Sequence, residues 1–532
     1  MPIPLLPSLH KIVRIAVMAA TLMLPVMQAQ AAGKSTTRQS ESVGVAWLAG
    51  TSEAAVDAAF AQAKAAAKPV LLYWGAAWCP PCNQLKATLF NRQDFIALTR
   101  TMVPVYLDGD LPGAQKSGAR FKVVGYPTLI LFSPDGTEIT RLPGEADAGR
   151  VIKTLTTGFS GGESAKALLA DARAGKPLSI AQWRTLAFYS WETDEAQLVD
   201  SKERAALLAD LARRSASTCS SSSTRLWLKS LMANEDANGK LLADSDEQLL
   251  RLQDVLEFPT EVELHADIII EGAKTIVRSL MESADPARPG LLAAYDNALR
   301  GLQNDEFLSR GDQTGALIAR IELSRIDQAD DAVKVALPPA LVAEVSAFAR
   351  RMDAEITNGY ERQAVITSVA HLLGSAGLWA ESDALLKANL KKSHSPYYLM
   401  SQLGGNARKL GRNGEALDWF ERAYATSKGP ATRLQWGASY VGALIDLAPQ
   451  DAPRIEKAVS SVFADAAKDK AAFYERSGRS LKRVVGKLVA WNTADAHAAE
   501  VKRLRARYDG VCRGIAADDT QRAMCVALWP AA

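Results

Sequence analysis

Leu71-Leu72-Tyr73-Trp74-Gly75-Ala76-Ala77-Trp78-Cys79-Pro80-Pro81-Cys82 is the stretch whose reading decides the fold. An apolar, aromatic run ends in a small-residue turn, and two cysteines separated by two residues then open a helical stretch, Asn83 to Leu89. Val70 to Trp74 is continuously apolar, as a strand buried on both faces must be. Prolines just after Cys79 suit a helix start, where a missing N–H costs nothing. Working outward, Thr51-Ser52-Glu53 offers capping residues for a helix carrying Val56, Ala59, Phe60 and Ala63 on one face, stopped by Lys68-Pro69. Val43 to Trp47 reads as a first, edge strand. Met102 to Leu107 reads as a strand whose Pro104 removes a ladder donor and predicts a bulge. Pro112 to Ala119 reads as a short helix, Thr128 to Phe132 and Glu138 to Leu142 as a hairpin across Ser133-Pro134-Asp135-Gly136, and Ala146 to Leu155 as a last helix.

Forty-five residues after Cys82 stands Pro127, within Gly125-Tyr126-Pro127-Thr128 at the start of a strand. Trp-Cys-x-x-Cys after one strand, this proline opening a later one, and the Pro-Asp-Gly hairpin together resemble the thioredoxin superfamily over residues 43–158. The wording is most similar to its envelope-facing members, including the C-terminal domain of the transmembrane disulfide interchange reductase. The resemblance implies a βαβαβαββα thioredoxin fold, with Pro127 as a cis proline against the active disulfide, Tyr126 offering backbone hydrogen bonds to an extended substrate, and Trp78 walling the same groove.

The chemistry follows from the spacing. A free thiol has a pKa of about 8.5, and the thiolate is the nucleophile. A helix start turns unpaired N–H groups and the positive end of the dipole toward Cys79, favouring its thiolate. Cys79 is therefore the catalytic nucleophile and Cys82, one turn in, the resolving thiol. Pro80 and Pro81 tune the site, since neither has an N–H to offer the sulfur; with no histidine in this part of the sequence, they favour a reductase or isomerase poise over a strong oxidant. One departure stands out: six residues before Cys79, where thioredoxin itself carries a buried aspartate that moves the second thiol's proton, this chain has Tyr73. Tyrosine, with a pKa of about 10, is a poor base at neutral pH. Asp108 reads as a strand end rather than a base.

Residues 159–163 read as a linker, and 164–532 as all α, rich in Ala, Leu, Arg, Glu and Asp at helical spacing. Gly377 and Gly411, Glu381 and Glu415, and Leu386 and Phe420 are each 34 residues apart. That period resembles tetratricopeptide repeats around 360–430, with degenerate repeats or caps at Ala316 to Ile326 and Ile455 to Phe463. The competing reading is a generic helical domain. Ser215 to Thr224 reads as a polar loop, and its Cys219 as a solvent-facing lone thiol or the odd partner in an intermolecular bond.

A net charge of +3 over 532 residues, with no basic cluster in the sequence, gives no case for nucleic acid. Lys11 and Arg14, the apolar segment Ile15 to Met27 and Ala29-Gln30-Ala31-Ala32 read as a signal peptide, residues 1–32, cut near Ala31 or Ala32; an uncleaved anchor is the rival. Residues 33–42 read as a disordered lead-in, and no membrane span is expected after signal removal, which places the protein in a bacterial periplasm. Cys512 and Cys525 are expected to form a structural disulfide. A zinc half-site at Cys79 and Cys82 finds no second Cys or His pair nearby, so neither a metal nor a separate cofactor is expected. The sequence thus points to an exported thiol-disulfide oxidoreductase that acts on protein disulfides, serves cell redox homeostasis and needs an upstream thiol-disulfide partner, its helical half binding a peptide or protein. The alternative is a partner-binding adaptor with a redox-minor thioredoxin domain.

Overall fold

The structure, a computed structural model, describes residues 44–143, 148–159, 162–194, 197–234 and 245–529. The signal segment and lead-in lie outside these. Five strands, β1 (Leu48–Ala49), β2 (Val70–Gly75), β3 (Val103–Asp108), β4 (Thr128–Phe132) and β5 (Glu138–Pro143), form one sheet in the order β1-β3-β2-β4-β5. The pairs β1–β3 and β3–β2 are parallel, and β2–β4 and β4–β5 antiparallel. Between them run α1 (Glu53–Ala65), α2 (Pro80–Ala87), α3 (Gln93–Thr99), α4 (Ala114–Arg120) and α5 (Ala148–Phe159). This is the βαβαβαββα order expected from the resemblance, with a 3-10 turn at Leu89–Asn91 parting α2 from α3.

Central strand β2 is buried along its whole length, and its alternation feeds two cores. Val70, Leu72 and Trp74 pack with Val56, Ala59 and Ala63 of α1, closing one face of the sheet. Leu71 and Tyr73 point the other way, into a core that holds Cys79, Cys82, Leu85 and Phe95 and continues through the later helices to Trp529.

Two details of the sheet differ from expectation and share a cause. The first strand begins at Leu48 rather than at Val43 to Trp47, and β3 carries no bulge at Pro104, which sits in regular register with Leu71. Val103 donates to Pro69 on the β2 side, while Tyr106 accepts from Gly50 on the β1 side. By alternation, Pro104 turns its missing N–H toward β1, so pairing there starts only at Val105. Trp47, left short of the strand, packs its ring on Tyr73 and Phe90 instead.

From Ala165 onward the described residues hold helices and no strand. The expected linker at 159–163 begins inside α5, and the chain resumes as a helix capped by Ser164. Residues up to Ile326 build a separate core around Trp183, Trp191, Trp227 and Tyr295. The polar stretch Ser215 to Thr224 is mostly helical, with a four-residue turn at 216–219. Ser215 ends one helix, Ser220 starts the next, and the Ser215 and Ser223 hydroxyls donate to carbonyls of the preceding helix, satisfying the groups that made the stretch look exposed. Cys219 is correspondingly buried, its thiol donating to the Ser222 hydroxyl at 3.2 Å. Gly377 and Gly411 both adopt positive φ, 77° and 71°, each closing the turn between paired helices. The pairs are Gly359–Ser375 with Trp379–Asn389, and Pro396–Lys409 with Asn413–Thr426.

Candidate functional site

Cys79 caps the N-terminus of α2, with extended backbone (φ −65°, ψ 119°), and its sulfur accepts the backbone N–H of Cys82 at 3.2 Å. Pro80 and Pro81 occupy the first helical positions, so the Cys82 N–H is the first-turn donor aimed at the sulfur. Cys79 and Cys82 are joined as a disulfide. Asn83, buried and unremarkable in the sequence, braces the turn by donating to the carbonyls of Ala77 and Cys79, both at 2.8 Å.

Around this turn stand the groove residues. The Tyr126–Pro127 bond is cis. The Tyr126 ring stacks on Trp74 and meets the edge of Trp78, its centroid 5.8 Å from the Trp78 centroid. The Tyr126 hydroxyl accepts from Gln115 at 3.0 Å. Gly109 is required beside it: a Cβ there would lie 2.1 Å from the Tyr126 oxygen. Trp78 donates its indole N–H to Asp110 at 2.8 Å.

Behind the dithiol, burial pushes the Tyr73 hydroxyl far above its ordinary range, and nearby Asp108 adds to the rise. No hydrogen-bond partner for that hydroxyl lies among the described residues. Tyr73 is thus a still poorer base than its residue type implies. Asp108, paired with Gly75 at the end of β3, has its carboxyl raised chiefly by burial. Lys86 is lowered chiefly by burial, with Asp108 pulling it back up.

The helical half lies directly on this site, which nothing in the sequence signalled. Cys79 is 2% exposed, Cys82 0% and Trp78 8%. Tyr398 stacks on Trp78 with centroids 5.7 Å apart, and the Arg476 guanidinium lies over the Trp78 ring, 4.5 Å from its centroid. Gln363 donates to the Trp78 carbonyl at 3.3 Å, and His394 Nε2 meets the Ala77 carbonyl at 2.8 Å. Asp110 ties the halves together: it accepts from the Thr432 N–H and hydroxyl and pairs with Arg476 at 3.2 Å. Removing one partner of so buried a pair costs about 3 kcal/mol. His394 is brought to the dithiol turn across 317 residues of chain.

Cys512 and Cys525 are disulfide-bonded, joining helix Ala498–Gly514 to helix Thr520–Leu528. Among the described residues no group of three or more His, Cys, Asp or Glu is placed to hold a metal ion, and no helix is long and apolar enough to cross a membrane.

Comparison with known proteins agrees with this geometry. Residues 56–158 match the family described as Thioredoxin-like domain. Thiol:disulfide interchange protein DsbD 2 of Pseudomonas aeruginosa is 32% identical over 127 residues, 23% of this chain and 22% of that protein. The chain therefore spans about a fifth of the length of these interchange proteins. Thioredoxin of Mycobacterium tuberculosis is 32% identical over 89 residues, 17% of this chain and 72% of its own length. Thioredoxin of Alicyclobacillus acidocaldarius is 31% identical over 115 residues, 22% of this chain and 91% of its own length. With a dithiol capping α2, a cis proline opening β4 and relatives matched over most of their length, the chain belongs, through its N-terminal domain, to the thioredoxin family.

Proposed function

We propose that the protein is an exported thiol-disulfide oxidoreductase of the reductase or isomerase type, working in the periplasm through Cys79 and Cys82. The observation that carries this reading is the Cys79 sulfur at the start of α2, bonded to Cys82 and met by its N–H. In the reduced enzyme the Cys79 thiolate attacks one sulfur of a protein disulfide, and the other leaves as a thiolate. Cys82 then attacks Cys79 in the mixed disulfide, releasing the second substrate thiol and leaving the Cys79–Cys82 bridge. Two electrons have passed to the substrate. An upstream dithiol protein must return them, becoming a disulfide itself. The helical half, read as tetratricopeptide-like repeats around 360–430, selects the partner.

The burial of Cys79 beneath that half favours a second reading, a partner-binding adaptor whose dithiol is seldom used. Cys82→Ser separates the two. An oxidoreductase bearing it accumulates mixed disulfides through Cys79, visible as reductant-sensitive adducts; an adaptor accumulates none, and that result sinks the first reading.

A further inference from the structure

Solvent reaches only the margin of Trp78, which is 8% exposed. There a cleft of about 700 Å³ is lined by Trp78, Tyr126, Arg476, Arg479, Lys482 and Arg483, with no carboxylate among its lining residues. The four cations come from helix Glu475–Trp491, at spacings of three, four and seven residues that put them on adjoining faces. Two are already compensated: Arg476 by Asp110, and Arg479 by Glu475 at 3.0 Å. Lys482 and Arg483 are exposed and make no ion pair among the described residues; Arg483 has only a long hydrogen bond to Ser480, at 3.4 Å. Partial desolvation of its guanidinium, then repulsion from Arg476 and Arg479, lowers the Arg483 pKa, as expected where positive charge is in excess.

We propose that this cleft is a specificity site for acidic residues flanking the disulfide of an extended protein substrate. The assignment rests on the oxidoreductase reading for what happens at the far end of the groove. Its argument is continuity: Trp78 and Tyr126 wall both the dithiol groove and the cleft, and the Arg476 guanidinium stands over both rings, at 4.5 and 5.4 Å. Arg483 lies seven residues further along the helix, about 10 Å. At about 3.3 Å per extended residue, a chain passing Arg476 reaches it in about three residues. A carboxylate there meets Lys482 and Arg483, whose charges are otherwise unanswered, while the aromatic walls hold the backbone between.

The test uses the full chain and cysteine-free peptides of one sequence in which the three residues beside the former cysteine are Asp, Asn or Lys. By isothermal titration at low salt, the Asp peptide is expected to bind at least about tenfold more tightly than the Asn peptide, with the Lys peptide weaker still. The preference is expected to shrink in 0.5 M salt and to vanish in Lys482→Gln/Arg483→Gln, a double variant whose unchanged melting temperature shows that it is folded. Equal binding of Asp and Asn peptides, or a preference that survives the double substitution, overturns the proposal. Disulfide-bearing versions then separate this proposal from the functional reading beneath it. Acid-selective binding with no exchange at any peptide removes the oxidoreductase and leaves the cleft. Exchange with no charge preference removes the cleft and leaves the oxidoreductase.

Discussion

Tyr73 stands where thioredoxin itself carries an acidic residue, and its burial beside Asp108 has measurable consequences. The Tyr73 hydroxyl is buried without a hydrogen-bond partner among the described residues, which costs about 1–3 kcal/mol. Tyr73→Phe is therefore expected to raise stability by about 1 kcal/mol in chemical denaturation and to leave the rate of disulfide exchange unchanged; a slowed exchange would give the hydroxyl a role its burial denies it. For Asp108 the folded carboxyl titrates above its unfolded value, chiefly because burial disfavours the charge. Its contribution is fully present below the unfolded pKa of about 3.9 and is lost as pH rises through the folded value. Asp108→Asn, which keeps an oxygen for the Asp110 N–H at 3.0 Å, is expected to melt higher than the natural chain at pH 7, the gap closing as pH falls toward 4. At this scale the sequence was readable where a residue type has one use. Cys79 and Cys82 announced themselves by spacing, and Pro127 through the family resemblance. Asn83 and His394 did not, because an asparagine in a helix and a histidine in a distant loop carry no local mark of the carbonyls they meet.

The elements were legible wherever periodicity and punctuation agreed. Val70–Gly75 had to be a central strand because it is apolar on both faces, and α2 had to start at the prolines. Serines near Cys219 misled because their hydroxyls, turn-forming in isolation, here bond back to helix carbonyls. The edge strand was misplaced because its start is set by Pro104, a residue on another strand. The C-terminal hairpin of helices depends on a covalent clip. Cys512 and Cys525 are 13 residues apart, and closing a loop of that size removes denatured-state entropy worth about 3 kcal/mol. Cys512→Ser/Cys525→Ser is expected to lose about that much, read as a lower urea midpoint, with the local loss seen first as faster amide exchange in helix Thr520–Leu528.

Across the molecule, the placement of the helical half over the dithiol was invisible to sequence reasoning, since its contacts join residues up to 366 positions apart. Gly429 lies at that seam with φ 84°, and a Cβ there would come within 2.6 Å of the Asp110 Cβ. Gly429→Ala is thus expected to ease the halves apart, and reduction of the Cys79–Cys82 bridge by a small dithiol should speed up about tenfold, which an opening cost lowered by about 1.4 kcal/mol produces. An unchanged rate would mean that the bridge is reached without this seam loosening. Residues 44–159 expressed alone are expected to bind a hydrophobic dye strongly, because Trp78, Leu85 and their neighbours lose the cover provided by Val365, Val369 and Tyr398, at about 2 kcal/mol for each large side chain laid bare. That common core reaches from Leu71 to Trp529, so a chain shorn of the helices would need polar residues on the dithiol domain where they now pack.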